Sequence, residues 1–254
     1  MTYREGAERF YDLFGTKDDL EFYRSFAEGE DRTALELGVG TGRLAIQLAR
    51  SDVEVWGIDN SQYMLNAALR NIGDETDKVK ARIHLELADV RDFNLGRAFD
   101  LIYFPSYSFD HLLNREDQLK CLRNIHNHLK EDGIYAFDLA NVPEVEADSK
   151  WFMQRKKLGV QEVTRTGFTK THPEARLLSI YLWYEVYEGN KLVECYFEGG
   201  DVYIHSLDGI RKLLEDAGFQ IKELFGGHDR SVYTEESEMM VIVASLKPDG
   251  LLLG

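Results

Sequence analysis

The sequence predicts an α/β fold in which a seven-stranded, mostly parallel sheet has helices on both faces and carries an antiparallel β insertion. Three observations lead to this prediction. Short apolar runs alternate with helical stretches from about residue 33 to residue 141. Strand-rich segments follow one another between about residues 150 and 205. A glycine-rich turn, "LELGVGTGRL" at 35–44, stands where the first apolar run passes into a helix.

The first five strands are predicted from apolar runs that helical stretches separate. These runs are "TALEL" (33–37), "VEVWGID" (53–59), "ARIHLELAD" (81–89), "FDLIYF" (99–104) and "GIYAFDLAN" (133–141). The intervening helices are predicted over 42–51, 61–72 and 115–130, and Ser61 is a suitable N-cap for the second of them. Strands joined by helices form right-handed crossovers, so we expect a parallel sheet that is covered on both faces.

The chain is interpreted as one domain, 1–254, made of four segments. Residues 1–31 are predicted to form two short helices that act as a cap, and residues 32–141 form the core. The segment 150–205 is predicted to be an antiparallel β insertion because Gly189 and Asn190 are a hairpin signal within strand-rich sequence. Residues 206–247 return to a helix, which ends at Gly218, and supply the last two strands.

Composition and charge exclude several classes of protein. The 254 residues are 44% hydrophobic and carry a net charge of −15, so we expect neither disorder nor a general affinity for nucleic acid. No apolar run approaches the ~20 residues that span a membrane, and the N-terminus lacks a signal-peptide pattern, which predicts a cytoplasmic protein. Cys121 and Cys195 fit no metal or redox spacing, so reduced thiols are expected and no metal site is predicted.

The spacing of the three glycines separates candidate ligands. Gly38, Gly40 and Gly42 occupy every second position, whereas the dinucleotide fingerprint G-x-G-x-x-G needs its third glycine at position 43, which is Arg43. A phosphate loop would need Gly-Lys-Ser or Gly-Lys-Thr, and "GRL" does not supply it. The turn therefore indicates a ligand that approaches the backbone closely without being a dinucleotide or a nucleoside triphosphate.

Further motifs follow the glycine-rich turn, in the order in which they occur in one enzyme family. Asp59 ends the second strand and Asp89 the third, in "LADVRDF"; "FDLIYFPSYSFDHLL" and "LKEDGIYAFDLAN" come next. With the E-x-G-x-G-x-G run from Glu36, they resemble the class I S-adenosylmethionine-dependent methyltransferases, closely over about residues 33–141 and loosely elsewhere. "VRDFNLGRAFDLI" and "HSLDGIRKLLEDAGF" are similar to the small-molecule branch, which includes sugar-amine and glycine-type N-methyltransferases. The resemblance implies a Rossmann-like sheet and S-adenosyl-L-methionine as cofactor.

The resemblance also implies a role for the acidic residue at the end of each strand. Glu36 is expected to contact the methionyl ammonium group, Asp59 to accept hydrogen bonds from the ribose hydroxyls, and Asp89 to lie near the adenine amino group. Each carboxylate has a structural interpretation as well. Glu36 is consistent with an ion pair to an arginine, Asp59 with a helix cap, and Asp89 with a residue that stabilises its own turn.

Additional cofactor contacts are expected from residues around the turn and on neighbouring elements. Tyr11 is expected at the methionyl end, and the backbone of Val90 near the adenine. Tyr11 and Met64 are equally consistent with packing in the core. The complete predicted cofactor set is Tyr11, Glu36, Gly38, Gly40, Gly42, Asp59, Asn60, Met64, Asp89, Val90 and Phe104.

The acceptor site is predicted after the fourth strand, because ligands of such sheets bind beyond the carboxyl ends of the strands. His111 and Tyr107, in "PSYSFDHLL", are the candidate catalytic residues. His111 has the unperturbed pKa of a general base, ~6.5, but is also consistent with packing against the cofactor. The aromatic residues of the insertion are expected mostly in the core or on a sheet face, with some of them placed to cover an acceptor pocket.

The predicted function is transfer of a methyl group to a nitrogen or oxygen of a small molecule by in-line displacement. The alternatives are an RNA methyltransferase, which the acidic composition disfavours, and a non-catalytic S-adenosylmethionine-binding protein. A nicotinamide-dependent dehydrogenase is disfavoured by Arg43. The expected partners are a small-molecule methyl acceptor and either none or one further copy of the chain, with no membrane and no nucleic acid.

Overall fold

A seven-stranded sheet lies at the centre of the computed structural model, which describes residues 6, 8–15, 18–29, 31–142 and 149–248. The strands are β1 (Thr33–Leu37), β2 (Glu54–Asp59), β3 (Ile83–Leu87), β4 (Phe99–Phe104), β5 (Leu129–Ala140), β6 (Ser149–Leu158), β7 (Gln161–His172), β8 (Leu177–Glu188), β9 (Lys191–Tyr203), β10 (Phe219–Phe225) and β11 (Met239–Leu246). The helices are α1 (Glu8–Phe14), α2 (Leu20–Arg24), α3 (Arg43–Arg50), α4 (Gln62–Gly73), α5 (Asp77–Lys80), α6 (Arg115–His128) and α7 (Leu207–Asp216).

The large sheet has the strand order β10-β11-β5-β4-β1-β2-β3. Strands β1 to β5 run parallel to one another, and β11 is antiparallel to both β5 and β10. The predicted Rossmann-like, seven-stranded and mostly parallel sheet is therefore confirmed. The parallel strands bring their carboxyl ends to one edge, where the turns after β1, β2, β3 and β4 meet.

Helices cover both faces of this sheet because its central strands are apolar on both sides. All six residues of β4 are buried. Along β1, Leu35 and Leu37 pack in one hydrophobic cluster, with α6 and α7, whereas Ala34 packs in a second cluster, with α2 and α3. Ser61 caps α4 as expected, since its side chain accepts a hydrogen bond from the Met64 N–H. The strand and helix assignments of the core thus follow from burial and capping.

The strands from Ser149 to Tyr203 form a separate antiparallel sheet of four strands in the order β6-β7-β8-β9, which confirms the predicted β insertion. Gly189, with φ +60°, lies in the tight turn between β8 and β9, as the hairpin signal predicts. A third buried cluster joins this sheet to α1 through Phe10, Phe14 and Tyr184. The insertion therefore rests on the N-terminal helix, which in turn contacts α4 of the core.

Within the described part of the chain, no helix combines the length and the apolarity that a bilayer crossing requires.

Candidate active site

The glycine-rich turn after β1 has a backbone conformation that glycine alone adopts without strain. Gly38, Gly40 and Gly42 have φ values of +64°, +55° and +78°. The turn is tied to β2, because the Val39 N–H donates to the Ile58 carbonyl at 2.9 Å. A methyl group on Gly38 would lie 3.3 Å from the ring of Phe104. The absence of side chains here leaves the backbone open toward the carboxyl edge of the sheet.

Asp59, at the end of β2, holds the glycine-rich turn through its carboxylate, which can still accept a further hydrogen bond. One carboxylate oxygen accepts the Gly40 N–H at 2.9 Å, and the other accepts the Ser61 N–H at 2.8 Å. Burial raises the pKa of this carboxyl, while the backbone hydrogen bonds from Ser61 and Gly40 oppose the rise. The backbone of Asn60 makes a third hydrogen bond to this carboxylate. An ionised carboxylate has about four lone-pair sites, so one remains for a ligand hydroxyl after these three bonds.

A cavity of about 280 Å³ opens between the glycine turn and the ends of the neighbouring strands. It is lined by Tyr11, Gly38, Gly40, Asp59, Asn60, Met64, Asp89, Val90, Arg91, Phe104, Ser108, His111, Leu112 and Asp117. Ten of the thirteen predicted site residues are in this lining, while Glu36, Gly42 and Tyr107 are outside it. The sequence analysis did not select Arg91, Ser108, Leu112 and Asp117, although "VRDF" and "SYSFDHLL" contain three of them.

Gly42 and Glu36, two of the predicted residues outside the cavity lining, support the glycine-rich turn. A Cβ atom on Gly42 would lie 3.3 Å from the Cβ of Ala68, so this glycine allows α3 and α4 to pack closely. Glu36 is only 3% exposed and accepts a hydrogen bond of 2.9 Å from the Tyr103 hydroxyl. Burial raises the pKa of Glu36 to about 8, against the opposing effects of Tyr103 and Arg43. This carboxyl therefore lies in the base of the turn rather than in the cavity wall.

Arg91 joins two carboxylates at one end of the cavity. Its guanidinium binds both oxygens of Asp89, at 2.8 and 2.6 Å, and also reaches Asp117 on α6 at 3.1 Å. The hydrogen bond from the Arg91 side chain lowers the pKa of Asp89. Asp89 also accepts the Arg91 N–H, so it stabilises its own turn as well as lining the cavity. The sequence suggested that Asp89 lies near the adenine or that it stabilises its own turn, and this geometry is compatible with both.

His111 lies in the cavity wall at the end of a short 3-10 turn, Ser108–His111. Burial lowers the pKa of its imidazole to about 4, and a hydrogen bond with the backbone of Asp201 acts in the opposite direction. A bond that favours the protonated imidazole is one that a carbonyl oxygen accepts, so a ring N–H donates to the β9 backbone. His111 is therefore neutral at pH 7, with its tautomer fixed by the insertion.

The buried carboxylate of Asp138 holds the segment between β4 and the 3-10 turn through hydrogen bonds. Ser106 and Tyr107 both have positive φ, +61° and +58°, and their N–H groups donate to Asp138 at 3.2 and 2.6 Å. Burial and the nearby carboxylates, first of all Asp138, raise the pKa of Tyr107 to about 12. Tyr107 belongs to this support and is not part of the cavity lining.

The N-terminal helices close one side of the cavity. Tyr11 of α1 lines the cavity; burial raises the pKa of its phenol, and a hydrogen bond with the side chain of Ser106 opposes that rise. Asp19, before α2, binds the guanidinium of Arg43 through two bonds of 2.7 and 2.6 Å. Arg43, which the dinucleotide fingerprint would not allow, thus anchors the cap over the start of α3.

The residues around the cavity fit S-adenosylmethionine. The backbone at Gly38 and Gly40 is open, the Asp59 carboxylate retains an acceptor for a ribose, and Met64 and Val90 offer apolar contacts for a purine ring. Among the described residues, no group of three or more His, Cys, Asp and Glu side chains is placed to hold a metal ion.

Comparisons with known proteins agree with this geometry. The family described as "Methyltransferase domain" matches residues 34–133. A glycine/sarcosine N-methyltransferase of Aphanothece halophytica is 23% identical over 88% of this chain and 79% of its own length. A cypemycin N-terminal methyltransferase of a Streptomyces species is 24% identical over 84% of this chain and 83% of its own.

The fold is shared with solved methyltransferase structures. The structure of a sugar N-methyltransferase from a Streptoalloteichus species superposes with a TM-score of 0.76 at 19% identity, covering 97% of this chain and 95% of that one. The open glycine turn, the acidic strand ends and the matched domain together identify the chain as a methyltransferase. It is an S-adenosylmethionine-dependent methyltransferase, as the resemblance implied.

Proposed function

We propose that this enzyme methylates an amine nitrogen of a small molecule, and that it does so by positioning rather than by general-base catalysis. The observation that carries the proposal is the state of His111: it lies in the cavity wall, and its pKa is lowered to about 4. An imidazole with this pKa takes up a proton poorly at pH 7. Methyl transfer to a hydroxyl group would need such a base, whereas an uncharged amine attacks with its own lone pair.

The other titratable side chains in the described lining are also poorly suited to remove a proton from a hydroxyl. Asp59 is engaged by three backbone N–H groups, those of Gly40, Asn60 and Ser61. Asp89 and Asp117 are paired with Arg91. The raised pKa of Tyr11 keeps its phenol protonated. The cavity therefore favours a nucleophile that is reactive once it is uncharged and correctly placed.

When bound, S-adenosylmethionine supplies an electrophilic methyl group with a neutral thioether as the leaving group. The neutral imidazole of His111 accepts an N–H of the amine at its unprotonated nitrogen and directs the nitrogen lone pair. The backbone carbonyl of Asp201 fixes the ring by accepting its single N–H. Holding two reactants in line contributes up to ~7–11 kcal/mol to lowering the barrier. The product ammonium loses its proton to solvent after it leaves the cavity.

The proposed contacts to S-adenosylmethionine follow the cavity from one end to the other. Asp59 accepts a ribose hydroxyl, and Asp89 with the backbone of Val90 contacts the adenine. Gly38 and Gly40 admit the methionyl part, which Tyr11 covers. Glu36 serves the site by supporting the turn through Tyr103. Asn60, Met64 and Phe104 complete the wall.

The relatives support an amine acceptor of small size without naming it for this chain. One acts on glycine or sarcosine, one on the N-terminus of cypemycin, and a structural neighbour on a sugar. These acceptors share an amine and differ in everything else. The net charge of −15 favours the approach of protonated amines over that of polyanions such as RNA. Such an amine gives up its proton to solvent before it attacks as the uncharged form. We also propose a cytoplasmic location, consistent with the free thiols of Cys121 and Cys195.

The function is tested with acceptors that differ only in the nucleophile. Glucosamine is compared with glucose, glycine with glycolate, and a short unblocked peptide with its acetylated form; release of the demethylated cofactor is measured. We expect turnover only with compounds that carry a free amine. Turnover of a hydroxyl compound, or of a transfer-RNA pool included in the same panel, would contradict the proposal. Binding of the cofactor without turnover of any acceptor would favour a non-catalytic role.

A further inference from the structure

Asp110 and His205 form a buried pair beside the 3-10 turn Ser108–His111, outside the lining of the cavity of about 280 Å³. Asp110 is 1% exposed and His205 is 5% exposed. A carboxylate oxygen of Asp110 lies 3.8 Å from Nε2 of His205. Within the residues that the structure describes, neither of these two atoms has a hydrogen-bond partner. Buried polar atoms are nearly always paired, so this arrangement requires a physical explanation.

The surroundings of the pair are largely aromatic. The imidazole of His205 lies 4.8 Å from the ring of Tyr203 and 5.5 Å from that of Phe109, measured between ring centroids. The ring of Phe109 packs in turn on Phe137 of β5 at 5.6 Å. In surroundings of low polarity an unpaired charge is costly, and a hydrogen bond that is made is correspondingly strong. The aromatic rings therefore favour a state in which the two facing atoms share one hydrogen bond.

The second oxygen of Asp110 is already engaged. It accepts the backbone N–H of Ala140, at the end of β5, at 3.0 Å. This bond leaves the other oxygen as the one directed at His205. A protonated carboxyl has one O–H donor, and a neutral imidazole has one nitrogen that accepts. The two facing atoms need to approach by only about 1 Å to reach the usual length of such a bond.

The neighbouring charges oppose the alternative, an ion pair between a carboxylate and an imidazolium. Burial raises the pKa of Asp110 well above its usual range; the Ala140 N–H opposes this rise, and the nearby Asp138 adds to it. Burial lowers the pKa of His205, and Arg176 adds to that fall. Asp138 thus disfavours a charge on Asp110, and Arg176 disfavours a charge on His205. Both neighbours stabilise the neutral pair, in which the carboxyl carries the proton.

We propose that Asp110 and His205 share this proton as a neutral pair and that the pair positions His111, a role that rests on the alignment of the acceptor by His111 in the proposed function. His111 follows Asp110 directly in the 3-10 turn. Its ring bonds to the backbone of Asp201 on β9, and His205 lies just beyond the end of the same strand. The turn therefore has two attachments to one end of the insertion. A single attachment would leave the orientation of the imidazole less restricted, whereas two fix it.

Asp110 and His205 act on the reaction through His111 and not by contact with the ligands, because neither lines the cavity. They are positioning residues rather than catalytic residues. A displacement of the imidazole by about 1 Å is enough to cost up to ~100-fold in rate. Loss of the pair should therefore lower kcat. The affinity for S-adenosylmethionine, which depends on Asp59 and the glycine-rich turn, should change little.

The first test uses substitutions that keep or remove the shared hydrogen bond. In Asp110→Asn, the amide N–H can donate to Nε2 of His205 while the amide oxygen accepts the Ala140 N–H. This variant should retain the wild-type kcat with the best amine acceptor. His205→Phe keeps a ring but removes the accepting nitrogen, so kcat should fall about 10-fold or more with little change in the KM for S-adenosylmethionine. Equal losses of kcat in the two variants would overturn the neutral pair.

His84→Phe is the matched control for loss of a histidine. It removes the bond with Glu54 on the edge strand β3 and keeps a ring to pack on Trp56, remote from the 3-10 turn. Its kcat should equal that of the wild type. Circular dichroism checks that all variants are folded.

The second test observes the ring nitrogens by nuclear magnetic resonance at pH 7, with signals assigned by their loss in His205→Phe and in His111→Asn. In the wild type, His205 should have a protonated Nδ1 and an unprotonated Nε2 that accepts a hydrogen bond. The signals of His111 should move in His205→Phe and stay in place in Asp110→Asn. An imidazolium at His205 would overturn the proposal, and so would His111 signals that do not respond to His205→Phe.

Activity and resonance data separate the role of the pair from the function on which it rests. Full activity of His111→Asn would contradict the alignment role of His111 and with it the proposed function. The ring-nitrogen signals would still decide whether Asp110 and His205 share a proton and hold His111 in place.

Discussion

The hydroxyl of Tyr23 donates a hydrogen bond of 2.7 Å to the carboxylate of Asp138, so the N-terminal α2 is tied directly to the end of β5. Both side chains are completely buried. The same carboxylate accepts the N–H groups of Ser106 and Tyr107 and lies 3.2 Å from the imidazole of His228. One buried group therefore joins the cap, the segment after β4 and the loop between β10 and β11 behind the cavity.

Replacing Asp138 with Ala should lower the free energy of unfolding by about 2–4 kcal/mol, because several buried donors lose their acceptor. Urea denaturation followed by tryptophan fluorescence measures this change. Tyr23→Phe removes a single donor from the same network and should cost only about 1 kcal/mol. Equal losses in the two variants would show that Asp138 has no wider role.

Replacing Asp59 with Asn should weaken binding of S-adenosylmethionine by about 1–3 kcal/mol, because hydrogen bonds to a charged acceptor are replaced by neutral ones. Isothermal titration calorimetry measures the affinity. Ser61→Ala is the matched control, since it removes the α4 cap and should cost about 1 kcal/mol of stability without touching the ligand. An unchanged affinity in Asp59→Asn would place the ribose elsewhere.

Replacing Arg91 with Ala should weaken cofactor binding about 2–5-fold, since partly exposed ion pairs contribute ~0.2–1 kcal/mol and here orient Asp89. Arg50→Ala breaks a surface pair with Glu75 away from the site and serves as the control. If both variants bind the cofactor as the wild type does, Arg91 only stabilises its turn.

Glu36 should make stability depend on pH in the direction expected for a carboxyl whose pKa is raised by folding. Its pKa rises from 4.5 to about 8, so its contribution is fully present below about pH 4.5 and is lost as the pH rises toward 8. Urea unfolding at pH 5.5 and 8 should show a steeper decline for the wild type than for Glu36→Gln. Parallel declines would mean that Glu36 is ionised throughout.

Replacing His111 with Asn should lower kcat about 10- to 100-fold through loss of alignment. The shape of the pH profile between pH 6 and 9 should stay as in the wild type, because an imidazole with a pKa near 4 does not titrate there. Steady-state rates with the best amine acceptor measure both quantities. An inflection near pH 7 that disappears in the variant would instead identify His111 as a general base.

The core of the fold was predictable because its elements are specified locally. The bounds of β1 and β4 were predicted to the residue, since both are short apolar runs that are buried on both sides. The strand β6 was not predicted. Its "RKK" run hides the strand alternation, and all ten of its residues are exposed. Pairing with β7, rather than its own apolar pattern, makes this segment a strand.

The cavity lining around the glycine turn was more predictable than the lining near the end of β4, for a related reason. Gly38, Gly40 and Asp59 are fixed by a turn and a strand end that lie close together in the sequence. Arg91 acquires its place through Asp117, far along the chain, and the tautomer of His111 depends on Asp201 in the insertion. Tertiary contacts of this kind leave no local signal, so the sequence favoured Tyr107, whose positive φ belongs to the supporting segment instead.

The cavity wall draws on parts of the chain that are far apart, from Tyr11 to Asp117, and requires that four crossovers be complete before it exists. A ligand that recognises this wall cannot bind a half-assembled chain. Binding of S-adenosylmethionine therefore stabilises the native state. At a free concentration one hundred times its dissociation constant, it would add ~2.7 kcal/mol to the free energy of unfolding. Starvation for the donor would then lower the amount of enzyme through proteolysis as well as slowing its turnover.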